Sequence, residues 1–266
     1  MRFYTRTAIA LVLACASLAP ASATIAAPPT PDDLAAAYRR MVRQRLSPPP
    51  SESAYYGLRA LLMLREAGIY LASPQYVVVV DRNPHVQAIF IFWLDPAKGE
   101  RLIGASPVST GRIGQFDHFQ TPIGVFDHTV LDGDFRAEGT KNEFGIRGYG
   151  SKGKRVFDFG WQEAERGWGN GGSGTMRLQM HATDPSILEP RLGSVQSKGC
   201  VRIPGGLNTF LDHFGVLDAD YEAALAAGER VWVLPPDREP AAGAGRYLVI
   251  LDSARANRPA WSPPPR

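Results

Sequence analysis

Two rhythms of apolar residues divide this chain. Between residues 30 and 67 apolar positions recur at helical spacing, and from residue 76 they gather into short β-type runs. Thr30-Pro31-Asp32-Asp33 has the chemistry of a helix start: a hydroxyl cap, proline at the first position and two acids in the first turn. The pattern predicts a helix from there to about Leu46, stopped by Ser47-Pro48-Pro49-Pro50. A second is predicted from Ser51 to about Ala67, ended by Gly68, with Tyr55, Leu58, Leu61, Leu62 and Leu64 as its apolar face. The pair reads as an α-hairpin docked on the β-rich remainder of the chain.

Tyr76–Val80 and Ala88–Trp93, separated by the turn cluster Asp81-Arg82-Asn83-Pro84, read as a hairpin that begins a sheet. Leu102–Ser109 and Gly124–Val130 are the next expected strands. Lys141 to Gly174 holds so many glycines and charges that no long regular element is expected there. It reads either as a mobile loop that closes on a ligand or as a surface insertion whose tryptophans cover a core edge. Thr175–Met180 alternates as a strand does. Leu207–Phe214 and Tyr221–Ala227 come next as helices, Arg230–Leu234 as a returning strand, and Tyr247–Leu251 as a strand at a sheet edge. The Pro-rich tail from Trp261 is expected to be disordered. The fold class is therefore mainly β, with an N-terminal α-hairpin and helices after Cys200.

Composition narrows the setting. With 266 residues, 44% of them hydrophobic and 21% charged, the chain has enough apolar material for one domain with a core and appendages. A net charge of +3 without a dense basic stripe argues against a nucleic-acid partner. Met1–Thr7 is positively charged, Ala8–Leu18 is apolar, and Ala21-Ser22-Ala23 is a small-residue cleavage site, so residues 1–23 read as a secretory signal peptide. Val12-Leu13-Ala14-Cys15 faintly resembles a lipoprotein box, and membrane attachment is expected only if Cys15 is lipidated. Cleavage after Ala23 leaves Cys200 as the single thiol of an exported protein, with no partner for an internal disulfide.

The chemistry concentrates in Met180–Ile203. A nucleophilic thiol needs a base to take its proton, a group to orient that base, and N–H donors where an oxyanion forms. His181 ends the predicted strand, and Ser197-Lys198-Gly199-Cys200-Val201-Arg202 begins after fifteen intervening residues. The quasi-repeat Phe116-Asp117-His118 and Phe126-Asp127-His128 raises a metal site as an alternative focus. No metal or organic cofactor is needed for the thiol chemistry.

His181 and the Ser197–Arg202 run resemble the signature of the L,D-transpeptidase (YkuD-type) catalytic domain, and Pro107–Gly111 with Thr121–Phe126 is similar to its second motif. The resemblance spans roughly Tyr76 to Leu234. It implies a sandwich-like catalytic domain at 73–235, between a helical segment at 24–72 and a C-terminal extension at 236–266. It further implies an exported, periplasmic or wall-facing transferase that cross-links peptidoglycan stem peptides through a Cys200 acyl-enzyme, with His181 as base. Gly199, Lys198 and Ala182 would contribute backbone groups, the first two as oxyanion donors with Cys200 and the third through the carbonyl that orients His181. Arg202, Ser197, Thr121 and Trp168 would bind substrate. Two positions depart from the pattern: Ala182 stands where glycine or serine is common, and Lys198 where a second histidine is common. Lys198 adds a cation that would lower a nearby thiol pKa. A hydrolase of the same chemistry and a wall-binding protein with a drifted site remain as alternatives, as does a wall-binding role for the helical segment.

Overall fold

Thr30 caps the first helix. In the computed structural model, which describes Met1 and residues 27–264, its side chain accepts from the Asp33 N–H while the Asp33 carboxylate accepts from the Thr30 N–H. The predicted leader, its cleavage site and Cys15 lie outside the described residues, as do the last two positions of the tail. Helix α1 spans Pro31–Met41 and α2 spans Pro50–Glu66. The first is shorter than its pattern predicts, because Val42 turns extended and enters the core, and the Leu46 N–H then donates to the Ala105 carbonyl. The inward face of α2 is Tyr56, Gly57, Ala60 and Leu64, whereas Tyr55, Leu58 and Leu62 face solvent. Alanine and glycine at this contact let the helix approach the sheet closely, a preference that a count of large apolar residues misses.

Among the described residues, nine strands form two sheets. The first contains β1 (Gln75–Asp81), β2 (Ala88–Asp95), β3 (Gly99–Pro107), β4 (Gly124–Asp127) and β9 (Tyr247–Leu251), in the order β3-β2-β1-β9-β4. The second contains β5 (Phe135–Arg136), β6 (Arg155–Glu165), β7 (Ser173–Ala182) and β8 (Val201–Ile203), in chain order. The four valines Val77–Val80 make sense in this arrangement, since β1 is covered on both faces and needs no polar alternation. Val78 and Val80 pack with Ile89 and Ile91 against Phe157, Leu178 and Met180 of the second sheet. Val77 and Val79 pack on the other side with Phe90, Phe92 and the α2 residues Tyr56 and Leu64.

The same partition separates the first two helices. Leu34 and Tyr38 of α1 belong to the cluster between the sheets, while α2 covers the opposite face of the first sheet. They are thus not a docked hairpin but two covers on two sides. Helix α3 (Gly205–His213) joins the inter-sheet cluster through Leu207, Phe210 and Leu211, and α4 (Ala219–Ala226) comes after it.

Four further expectations need correction. The Tyr247–Leu251 strand is interior, parallel to β1 and antiparallel to β4. Lys141–Gly174 contains the eleven-residue β6, whose ladder absorbs Gly160 in a register shift between Asp158 and Trp161. Arg230–Leu234 forms a turn in which the Leu234 N–H donates to the Val231 carbonyl, with Trp232 exposed. The tail is packed at least as far as Ser262: Trp261 stands edge-on to Tyr56, and the Ser262 hydroxyl donates to the Val86 carbonyl at 2.7 Å.

Candidate active site

Strand pairing brings the two ends of the sequence motif together. Strands β7 and β8 run parallel, with Met180 opposite Val201 and His181 opposite Arg202. Met180 and Val201 both enter the inter-sheet core, so alternation turns His181 and Arg202 to the other face. Cys200, one position before Val201, lies at the entry to β8 and packs in part against the inter-sheet cluster. It is half-buried, with Sγ 3.7 Å from the Arg177 carbonyl.

His181 is buried, and its Nδ1 lies 2.6 Å from the Ala182 carbonyl oxygen. A carbonyl can only accept, so Nδ1 carries the proton and Nε2 is left as the basic nitrogen. Burial, with the positive Arg202 adding to it, pushes the imidazole down to about 4 against the opposing bond to Ala182. Burial likewise raises the Cys200 thiol, outweighing the Gln179 N–H and Arg202, which favour the thiolate. The resting pair is therefore imidazole and thiol, both neutral, rather than an ion pair.

Behind the pair runs a polar chain that the motif did not reveal. The Tyr149 ring stands edge-on to His181 at 4.7 Å between centroids, and its hydroxyl donates to Gln179 Oε1 at 3.0 Å. Gln179 Nε2 donates to Asp158 at 2.8 Å, and Arg177 Nε donates to the same carboxylate. The signal for part of this was present in the sequence: Arg177, Gln179 and His181 are the polar positions of an alternating strand and so share one face. Tyr149 and Asp158 come from elsewhere in the chain and carry no such signal.

The turn before Cys200 is locked by two hydroxyls. Ser197 Oγ accepts from the Gly199 N–H at 3.0 Å and donates to the Cys200 carbonyl at 2.5 Å. Thr121 Oγ1 donates to the Gly199 carbonyl at 2.6 Å and accepts from the Gly111 N–H at 2.8 Å. Both residues are buried, so these hydroxyls shape the turn instead of facing a substrate. Gly199 has φ +133, and a Cβ there would lie 2.6 Å from Met176 Sδ. Its N–H is already committed to Ser197, which removes Gly199 from the expected oxyanion donors.

Lys198 points away. Its Nζ is exposed and pairs with Asp117 at 2.9 Å, and its carbonyl accepts from the Phe119 N–H. The expectation that it lowers the thiol pKa is overturned: the thiol is raised, and the cation that touches its titration is Arg202. Trp168 packs edge-on to Phe116 and Phe119. Arg202 Nη1 donates to the Gln196 carbonyl at 3.1 Å, while its buried Nε has no partner.

The histidines of the quasi-repeat are far apart in role. The His118 ring contacts the Phe116 carbonyl of its own loop. His128 is buried, stacked on Tyr221 and bonded to Asp134 and to the Leu217 carbonyl. Among the described residues no group of three or more His, Cys, Asp or Glu side chains is placed to hold a metal ion. Neither the protein-family models nor the curated proteins contain a match to this chain.

Proposed function

We propose that this chain is an exported peptidoglycan L,D-transpeptidase whose two sheets form the sandwich-like catalytic domain of that family. The observation that carries the proposal is the Nδ1-to-Ala182 bond, which leaves Nε2 as a neutral base on a strand paired with the one that follows Cys200. In this reading His181 takes the Sγ proton as the sulfur attacks the carbonyl between an L-centred diamino acid and a terminal D-residue. The departing D-amino acid receives that proton, leaving a thioester on Cys200. An amine of a second stem peptide then displaces the sulfur and completes the cross-link. With the Gly199 N–H engaged, the Cys200 N–H is the donor assigned to the oxyanion. Tyr149 and the Gln179–Asp158–Arg177 chain hold the imidazole face in place.

Mass spectrometry of products from purified disaccharide-tetrapeptide, with Cys200→Ala in parallel, tests this. A Cys200-dependent cross-linked dimer lacking one terminal D-amino acid is expected. A tripeptide alone would identify a hydrolase, and the absence of any Cys200-dependent product would remove the enzyme reading for this substrate and favour wall binding.

A further inference from the structure

Many arginines of this protein are matched to an acid. Arg82, Arg136, Arg177, Arg238 and Arg246 each lie within ion-pair distance of a carboxylate. Among those that do not are Arg112, Arg191 and Arg202. All three line one groove of about 490 Å³, together with Ser194 and Gln196, and its wall carries no acidic side chain. No carboxylate lies within ion-pair distance of any of the three among the described residues.

The backbone ties two of these residues to the segment that carries the thiol. The Arg112 N–H donates to the Ser197 carbonyl at 2.9 Å, and Arg202 exchanges backbone hydrogen bonds with Ser109. Arg202 sits opposite His181 in the strand register and influences the titration of both His181 and Cys200. Arg112 and Arg191 are exposed at the groove's edge, whereas Arg202 is half-buried with its Nε unpartnered inside. Three like charges on one wall repel one another. An anion seated among them relieves that repulsion and satisfies the buried donor. Planar guanidinium groups suit a carboxylate in particular, through paired N–H donors.

We propose that this groove binds the free carboxylates of an acidic peptide, so that acyl donors are selected for negative charge on the Arg202 side of Cys200. This rests on the acyl-transfer reading above for its catalytic meaning. The apolar Leu188 and Val195 on the same wall leave room for a peptide's aliphatic stems.

The test uses two probes that do not depend on a wall substrate. Iodoacetate and iodoacetamide alkylate the same thiol and differ in charge. In Arg112→Gln/Arg191→Gln, the ratio of iodoacetate to iodoacetamide rates at Cys200 is expected to fall about fivefold, and added salt should lower the ratio in the parent. By calorimetry, triglutamate should bind the parent better than triglutamine does, and that difference should vanish in the double variant. An unchanged alkylation ratio, or equal binding of the two peptides by the parent, would overturn the proposal. Success with these probes but no Cys200-dependent product from disaccharide-tetrapeptide would retain the groove and remove the transpeptidase reading; the opposite result would remove only the groove.

Discussion

His181 is kept neutral by its surroundings, and the chemistry of the site depends on that. Burial and Arg202 disfavour the imidazolium, and the Ala182 carbonyl directs the one proton to Nδ1. A base held at about 4 is still unprotonated at pH 5, whereas an ordinary histidine of pKa 6.5 would be almost wholly protonated there. The acid limb of kcat/KM is therefore expected near pH 4 to 5, read from acylation rates across pH. A limb near 6.5 would contradict the assignment of the base. His181→Ala should slow acylation by about 10² to 10⁴-fold. At this scale the sequence was enough to propose His181 and Cys200 as base and nucleophile, because those roles are suggested by residue type. It was uninformative about Lys198, Ser197 and Gly199, whose roles depend on where their donors and acceptors point.

The turn between β7 and β8 shows how elements constrain one another. Gly199 occupies a left-handed conformation under Met176, while Thr121 ties its carbonyl to the Gly111 segment. Gly199→Ala adds a Cβ to a disfavoured backbone conformation and to a contact of 2.6 Å. The expected cost is about 1–3 kcal/mol of stability together with loss of Cys200 acylation, measured by denaturant unfolding and intact mass. An alanine variant of parental stability and reactivity would show that the turn tolerates adjustment. Strands β1, β2, β3 and β7 were readable because their runs are long and bounded by turn residues. The long β6 was hidden by the glycines around it and by Gly160, which its register shift accommodates, and Arg230–Leu234 has strand-like residues but closes into a turn.

At the scale of the molecule, a buried charge network stands behind the second sheet. Arg155 is fully buried and donates to Asp134 at 2.5 Å and to Asp218 at 2.8 Å, while Asp134 also accepts from His128. Arg155→Ala strands two buried carboxylates and should cost about 3–5 kcal/mol, seen as a shift in the urea midpoint. Burial alone would raise the Asp134 carboxyl, but His128 and Arg155 outweigh it and hold it at about 2. Burial also opposes charge on His128, yet Asp134 raises its pKa above the usual value. The signs differ. Stability from Asp134 is present above pH 3.8 and is lost as pH falls through 2. Stability from His128 is present below pH 6.5 and is lost as pH rises through its raised pKa. His181, depressed to about 4, loses its contribution as pH falls from 6.5 through 4. Urea midpoints should thus begin to drop on acidification below pH 6.5, before the carboxylates titrate, and this early drop should be absent in His181→Gln.

Local chemistry was enough to determine the Thr30 cap and the apolar strand runs, since each depends on neighbours in the chain or on residue type. Only the tertiary structure decided that β9 is interior, that α1 and α2 cover opposite faces, and that Tyr149, Asp158, Arg112 and Arg191 gather around the motif. Those outcomes depend on which distant backbone pairs with which, and on which surface remains to be buried once the sheets have formed.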